Sequence, residues 1–171
     1  MILKWAYHGM SIENWKKVQQ EGRLNPTSRL DVFINRNAAP GELEVRHFLK
    51  DIQLPDFAYQ YYSFFVPRLS CGEEYFSKIP ESQQKARQFL RQFIDSRMEV
   101  GIKVRLPTER VYVIDFAKLL PIYDRMVDRT QGWMNYINSF TSLDHYTKKE
   151  GNMPEILVST SISLEDIVRL F

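Results

Sequence analysis

Short β-rich runs alternate with amphipathic helical segments from one end of this 171-residue chain to the other, and that interleaving constrains the fold more than any single motif does. A helix with one apolar stripe must bury it, and the nearest partners here are strands. The pattern therefore predicts one α+β domain over residues 1–171, without internal repeat, low-complexity tract or linker. Ile2 to Tyr7 reads as a first strand ending at His8-Gly9. Ser11 can accept from backbone N–H groups two or three residues on, Ile12, Trp15 and Val18 mark one helical face, and Gly22 supplies the stop.

Further along, "DVFIN" is a short strand, and a helix runs from about Glu42 to Ile52 with Leu43, Phe48, Leu49 and Ile52 on its apolar face. Phe57 to Val66 has the aromatic and β-branched content of another strand. The clearest helix follows Pro80, where Ala86, Phe89, Leu90, Phe93, Ile94 and Met98 recur at three- and four-residue spacing between charged residues. "IKVRL" and "VYVIDF", separated by "PTER", predict a β-hairpin. "PIYDRMVDRTQGWMNYINSF" reads as helical around Gly132, its "DRMVDR" charges forming a solvated face, and "TSLDHYTKKEGNMP" as an exposed loop. "EILVST" is a late strand, and "SISLEDIVRLF" a short closing helix or turn capped by Ser163.

Charge and cysteine content remove several function classes. The chain carries 23 Lys and Arg against 21 acidic residues, and a balance of +2 provides no global basic field for nucleic acid. A single cysteine, Cys71, rules out an internal disulfide, and no Cys/His spacing matches a structural zinc site, so no metal is expected. No uninterrupted apolar run approaches the ~18 residues of a membrane span, and the N-terminus lacks a signal-peptide cleavage pattern. The expectation is a soluble, cytoplasmic protein with no membrane partner. A Gly-rich phosphate loop, a GxSxG elbow and a His pair at helical spacing are all missing. Cys71 would be a nucleophile only if His47 or His145 came beside it, and a buried, inert thiol is the ordinary alternative. The aromatic stretch from Tyr59 to Phe65 suits a core strand or a base-stacking surface.

His8-Gly9 is the unexplained pair, because neither residue favours a strand or a helix. Glycine is chosen where backbone turns or something approaches closely. A His beside it is commonly a structural hydrogen-bonder, and a carboxylate at a strand start such as Glu155 is commonly solvated. The order of segments changes that balance. "YHG" before a capped helix, "VFINRN" followed by "ELEVRHF", a late "VYVID" strand and "PEILVSTSISLEDIVRL" together resemble the ADP-ribosyltransferase superfamily, in its His-Tyr-Glu branch. The resemblance is one of motif order, from about Tyr7 to Leu170, and its motifs are more specific at the two ends than in the middle.

That resemblance implies a split β-sheet with flanking helices, NAD as co-substrate, and transfer of ADP-ribose to a macromolecular acceptor, protein or nucleic acid. His8 would hydrogen-bond the adenine-side ribose, and the Gly9 backbone would hold the nicotinamide carboxamide. Glu155 would bind the nicotinamide-side ribose and stabilise the oxocarbenium-like centre. The family's stacking Tyr falls at Phe33, which keeps the ring and loses the hydroxyl, and Met10 stands where the family has Thr; Tyr59, Tyr61 and Tyr62 are alternative sources of the aromatic face. Arg36 and Arg29 would meet the pyrophosphate, since guanidinium pairs bidentately with phosphate oxygens; as loop charges they are otherwise solvated, as are Arg46 and His47. Asp115 is a strand-end acid of a common type. An RNA 2'-phosphotransferase shares the "HG" start and is the alternative enzyme, and a non-catalytic NAD-binding module of the same fold is the alternative outside enzymes. By analogy with the family, such a domain suits a microbial or phage toxin or effector, whose partners would include a cognate inhibitor.

Overall fold

The computed structural model describes residues 3–28, 61–65, 67, 71–95 and 99–171. The expected "DVFIN" strand and the helix at 42–52 lie outside them. Ten strands are present among the described residues: β1 (Trp5–Met10), β2 (Arg23–Leu24), β3 (Thr27–Ser28), β4 (Tyr61–Phe65), β5 (Val100–Arg105), β6 (Val111–Asp115), β7 (Thr141–Ser142), β8 (Pro154–Val158), β9 (Ile162–Ser163) and β10 (Ile167–Arg169). The helices are α1 (Ile12–Glu21), α2 (Cys71–Lys78), α3 (Gln84–Asp95), α4 (Leu120–Tyr123) and α5 (Arg129–Asn138). The architecture is mixed α+β, with antiparallel sheets ordered β1-β5-β10, β2-β9 and β3-β4-β8-β6-β7. None of them closes into a barrel.

Alternation along β6 and β8 sets the layers. Val111 and Val113 sit opposite Val158 and Ile156, and Val111, Val158 and Ile156 join a core with Ala6, Met10, Val100, Ile102 and Val104 of the three-stranded sheet. Tyr112 and Ile114 sit opposite Leu157 and Glu155 on the other face, where Ile114 and Leu157 pack with Tyr75, Ala86, Leu90, Leu120, Trp133 and Tyr136 of the helices. The five-stranded sheet is thus covered on both faces, which is why its central strands read as nearly unbroken apolar runs.

Burial on both faces also explains why the expected hairpin does not form. β5 pairs with β1 and β10, whereas β6 pairs with β7 and β8. "PTER" contains no Asn-Gly or Asp-Gly for a tight primed turn, and the connection instead carries the chain from one sheet to the other. The Leu106 N–H is retained by the Lys4 carbonyl at 3.0 Å, and Arg110 turns the chain at φ 60°. β1 differs from expectation too, running through His8-Gly9 to Met10. Gly9 lies opposite Gly101, so two positions without side chains meet across the ladder.

The first helix forms as its sequence dictates. Ser11 is extended and its hydroxyl accepts from the Asn14 N–H at 3.2 Å, Trp15 and Val18 are buried, and Gly22 ends the helix at φ 67°. Ile12 turns outward, while its N–H is held by the Glu99 carboxylate at 2.9 Å. The closing segment forms β9, a 3-10 turn over Leu164–Asp166 that starts after Ser163 without a side-chain cap bond, and β10, so the expected short turn is followed by a strand added to β5.

"DRMVDR" is not a solvated helix face. It is the break between α4 and α5, turned by Arg125 at φ 56°, and both its aspartates cap helices. Asp128 accepts from the Gln131 N–H at 3.0 Å, while Asp124 accepts from Lys85 and Ala86 N–H groups at 3.1 and 2.9 Å, closing the start of α3 from another part of the chain. Replacing Asp124 with Ala is expected to cost about 0.5–2 kcal/mol in urea unfolding, the range of lost N-caps. Gly132 lies where α5 crosses α4, and a Cβ there would stand 2.3 Å from Ile122 Cγ1. Gly132→Ala is accordingly expected to destabilise by about 1–3 kcal/mol through overpacking, and an unchanged urea midpoint would show that Ile122 yields freely.

Candidate functional site

The site begins with the two strands that carry His8 and Glu155. On β1, Ala6, His8 and Met10 share the inner face, Ala6 and Met10 being fully in the inter-sheet core. The His8 ring packs against Phe65 of β4, with centroids 5.4 Å apart and the planes tilted by 59°. Phe65 is fully buried and its partner across the ladder is Ile156, the residue after Glu155. Strand β4 thereby links the His8 strand to the Glu155 strand.

Glu155 is half-buried and lies one residue beyond the last β4–β8 pair, opposite Ile114 of β6. Because side chains alternate along a strand, it faces the helical layer while Phe65 and Ile156 face His8. The structure therefore brings His8 and Glu155 to adjoining strands but on opposite faces of the five-stranded sheet. A ligand touching both would have to pass around this end of the sheet. The Tyr136 hydroxyl donates to Glu155 Oε1 at 3.3 Å.

The backbone leading into Glu155 is held residue by residue. Asp115 Oδ1 accepts from the Met153 N–H at 2.8 Å and the Ala117 N–H at 3.1 Å, and the Phe116 N–H donates to the Met153 carbonyl at 3.0 Å. The Tyr75 hydroxyl donates to the Pro154 carbonyl at 2.8 Å. Ser139 accepts from the Asp115 N–H at 2.9 Å and donates to the Tyr136 carbonyl at 2.6 Å, tying the end of β6 to α5. Burial pushes the Tyr146 hydroxyl pKa up. Asp115 is buried at 4% exposure, so what reads as an ordinary strand-end acid is a structural acceptor for the turn that follows and for the start of β8.

Other expected residues fall as follows. Phe33, Arg36, Arg29, Arg46, His47 and Tyr59 lie outside the described residues, as do the side chains of Tyr61, Tyr62 and Cys71. The His145 ring pairs through Nδ1 with Ser142 Oγ at 3.0 Å. Phe65 belongs to the core, which takes the end of the aromatic stretch away from any stacking surface. Tyr136 and Tyr75 were not legible as site residues, because each sits on an apolar helical face where a tyrosine reads as packing; the only signal was that a buried phenol needs a partner. Among the described residues, no group of three or more His, Cys, Asp and Glu is placed to hold a metal ion, and no helix is long and apolar enough to cross a membrane.

Chemically, a carboxylate fixed by a phenol at the margin of a buried sheet can stabilise positive charge developing beside it without reorganising. No family model matches this chain, and neither a curated protein nor a solved structure matches it.

Proposed function

We propose that the protein is an NAD-dependent ADP-ribosyltransferase of the split-sheet type, acting on a protein or nucleic-acid acceptor. The observation that carries this reading is Glu155 itself, half-buried at the head of β8 and hydrogen-bonded to the Tyr136 hydroxyl, on a strand joined through β4 to the strand of His8, whose ring lies on the other face of the sheet. Glu155 would face the nicotinamide-side ribose, where departure of a neutral nicotinamide leaves an oxocarbenium-like sugar that a fixed carboxylate stabilises. His8 would hold the adenine-side ribose and the Gly9 backbone the carboxamide; Phe33 would stack on nicotinamide and Arg36 would meet the pyrophosphate. A cytoplasmic toxin or effector is the biological setting this reading suggests, by analogy alone.

The non-catalytic reading also has an observation behind it. Met10 is buried in the inter-sheet core, so its position offers no hydroxyl toward a ligand. NAD carrying a label on its adenylate, incubated with the protein and a cell lysate, separates the readings. Stable label on macromolecules, assigned to protein or nucleic acid by protease and nuclease digestion, is the expected result. Saturable NAD binding without nicotinamide release would favour the binding module, and release of a 2'-phosphate from RNA in an NAD-dependent reaction would favour the phosphotransferase.

A further inference from the structure

From the geometry around β8 we infer that Tyr136 is the positioning residue for Glu155, an inference that rests on the reading of Glu155 as the carboxylate of an NAD-cleaving site. Three consecutive residues at the head of β8 are each held from a different element: Met153 by Asp115 and Phe116, Pro154 by Tyr75 of α2, and Glu155 by Tyr136 of α5. The first two sets of contacts fix backbone. The Tyr136 bond is of another kind, since it joins two side chains and sets the direction of the carboxylate itself.

Tyr136 is built for that task. It is 1% exposed, its ring meets the Trp133 ring edge-on with centroids 5.8 Å apart, and its carbonyl accepts from Ser139. A phenol locked by packing presents its hydroxyl in one direction at little further entropic cost. At 3.3 Å the bond to Glu155 is longer than the ordinary O–H···O range. On this reading the phenol O–H, donating to Oε1, holds the carboxylate that faces the sugar. Tyr136 then never touches the reacting atoms, and acts through Glu155.

The test is Tyr136→Phe, which deletes the hydroxyl and keeps the ring, set beside Tyr75→Phe, which deletes a similar bond to backbone one residue earlier. Nicotinamide release from NAD is followed in both, together with the thermal midpoint and the three-bond NMR couplings that report the Glu155 side-chain rotamer. Tyr136→Phe is expected to lower kcat about tenfold or more while KM for NAD changes less than threefold, the signature of an interaction used in the transition state. Its Glu155 couplings are expected to average between rotamers, while those of Tyr75→Phe stay at one. Unchanged couplings in Tyr136→Phe, or equal losses of activity and thermal midpoint in the two variants, would overturn the assignment. If the native protein releases no nicotinamide, the enzymatic reading fails on its own, and the couplings still decide whether Tyr136 orients Glu155.

Discussion

Glu155→Gln is expected to lower nicotinamide release from NAD by at least about 100-fold, the scale on which a single preorganised electrostatic contact to a transition state acts. Gln has the shape of Glu and keeps an oxygen to accept from Tyr136, so packing and local hydrogen bonding survive the change. What would disappear, on the proposed reading, is the negative charge facing a sugar that becomes cationic as its bond to nicotinamide breaks. Affinity for NAD, measured by calorimetry, is expected to change little, because the charge matters most when the sugar carries its positive counterpart. A variant that turns over as fast as the native protein would remove Glu155 from the reaction, whatever becomes of the fold.

The largest loss of stability is expected from Asp115→Ala. One oxygen of this buried side chain accepts from the N–H groups of both Met153 and Ala117, and alanine leaves both donors without it. Unsatisfied buried donors cost about 1–3 kcal/mol each, and Met153 is itself buried; a total of roughly 3 kcal/mol would lower the thermal midpoint by about 6–12 °C for a chain of this size. Asp115→Asn, which retains a carbonyl oxygen at the same position, is expected to recover most of that loss. The same bonds hold the residues just before Glu155, so the alanine variant should lose activity even at temperatures where it remains folded. Equal thermal midpoints for the native, Ala and Asn proteins would contradict this account of the β8 head.

Local elements were legible in the sequence where the chemistry that makes them is local. Ser11 and Gly22 bracket α1 because a cap and a left-handed stop depend only on neighbouring residues, and the helix after Pro80 declares itself by spacing. Pairing was harder to read. The strands holding "IKVRL" and "VYVID" are adjacent in sequence, yet they divide between two sheets, because β5 serves the inter-sheet core whereas β6 gives Val111 to that core and Ile114 to the helical one. Asp124 and Asp115 illustrate the same limit for polar residues. Both look like surface charge from their neighbours, and both accept backbone N–H groups from distant segments, Lys85 and Ala86 in one case and Met153 in the other. His8 and Glu155 stood out through motif order, whereas Tyr136, nineteen residues before Glu155 and on an otherwise apolar face, became visible only once α5 was packed on the sheet.

The most direct measurement is a proton NMR time course of nicotinamide released from NAD by the purified native protein, run with and without cell lysate. The account predicts free nicotinamide that grows with time and protein concentration, faster when lysate supplies an acceptor. Intact NAD in both tubes after prolonged incubation with stoichiometric protein would contradict the claim that this chain cleaves the nicotinamide–ribose bond.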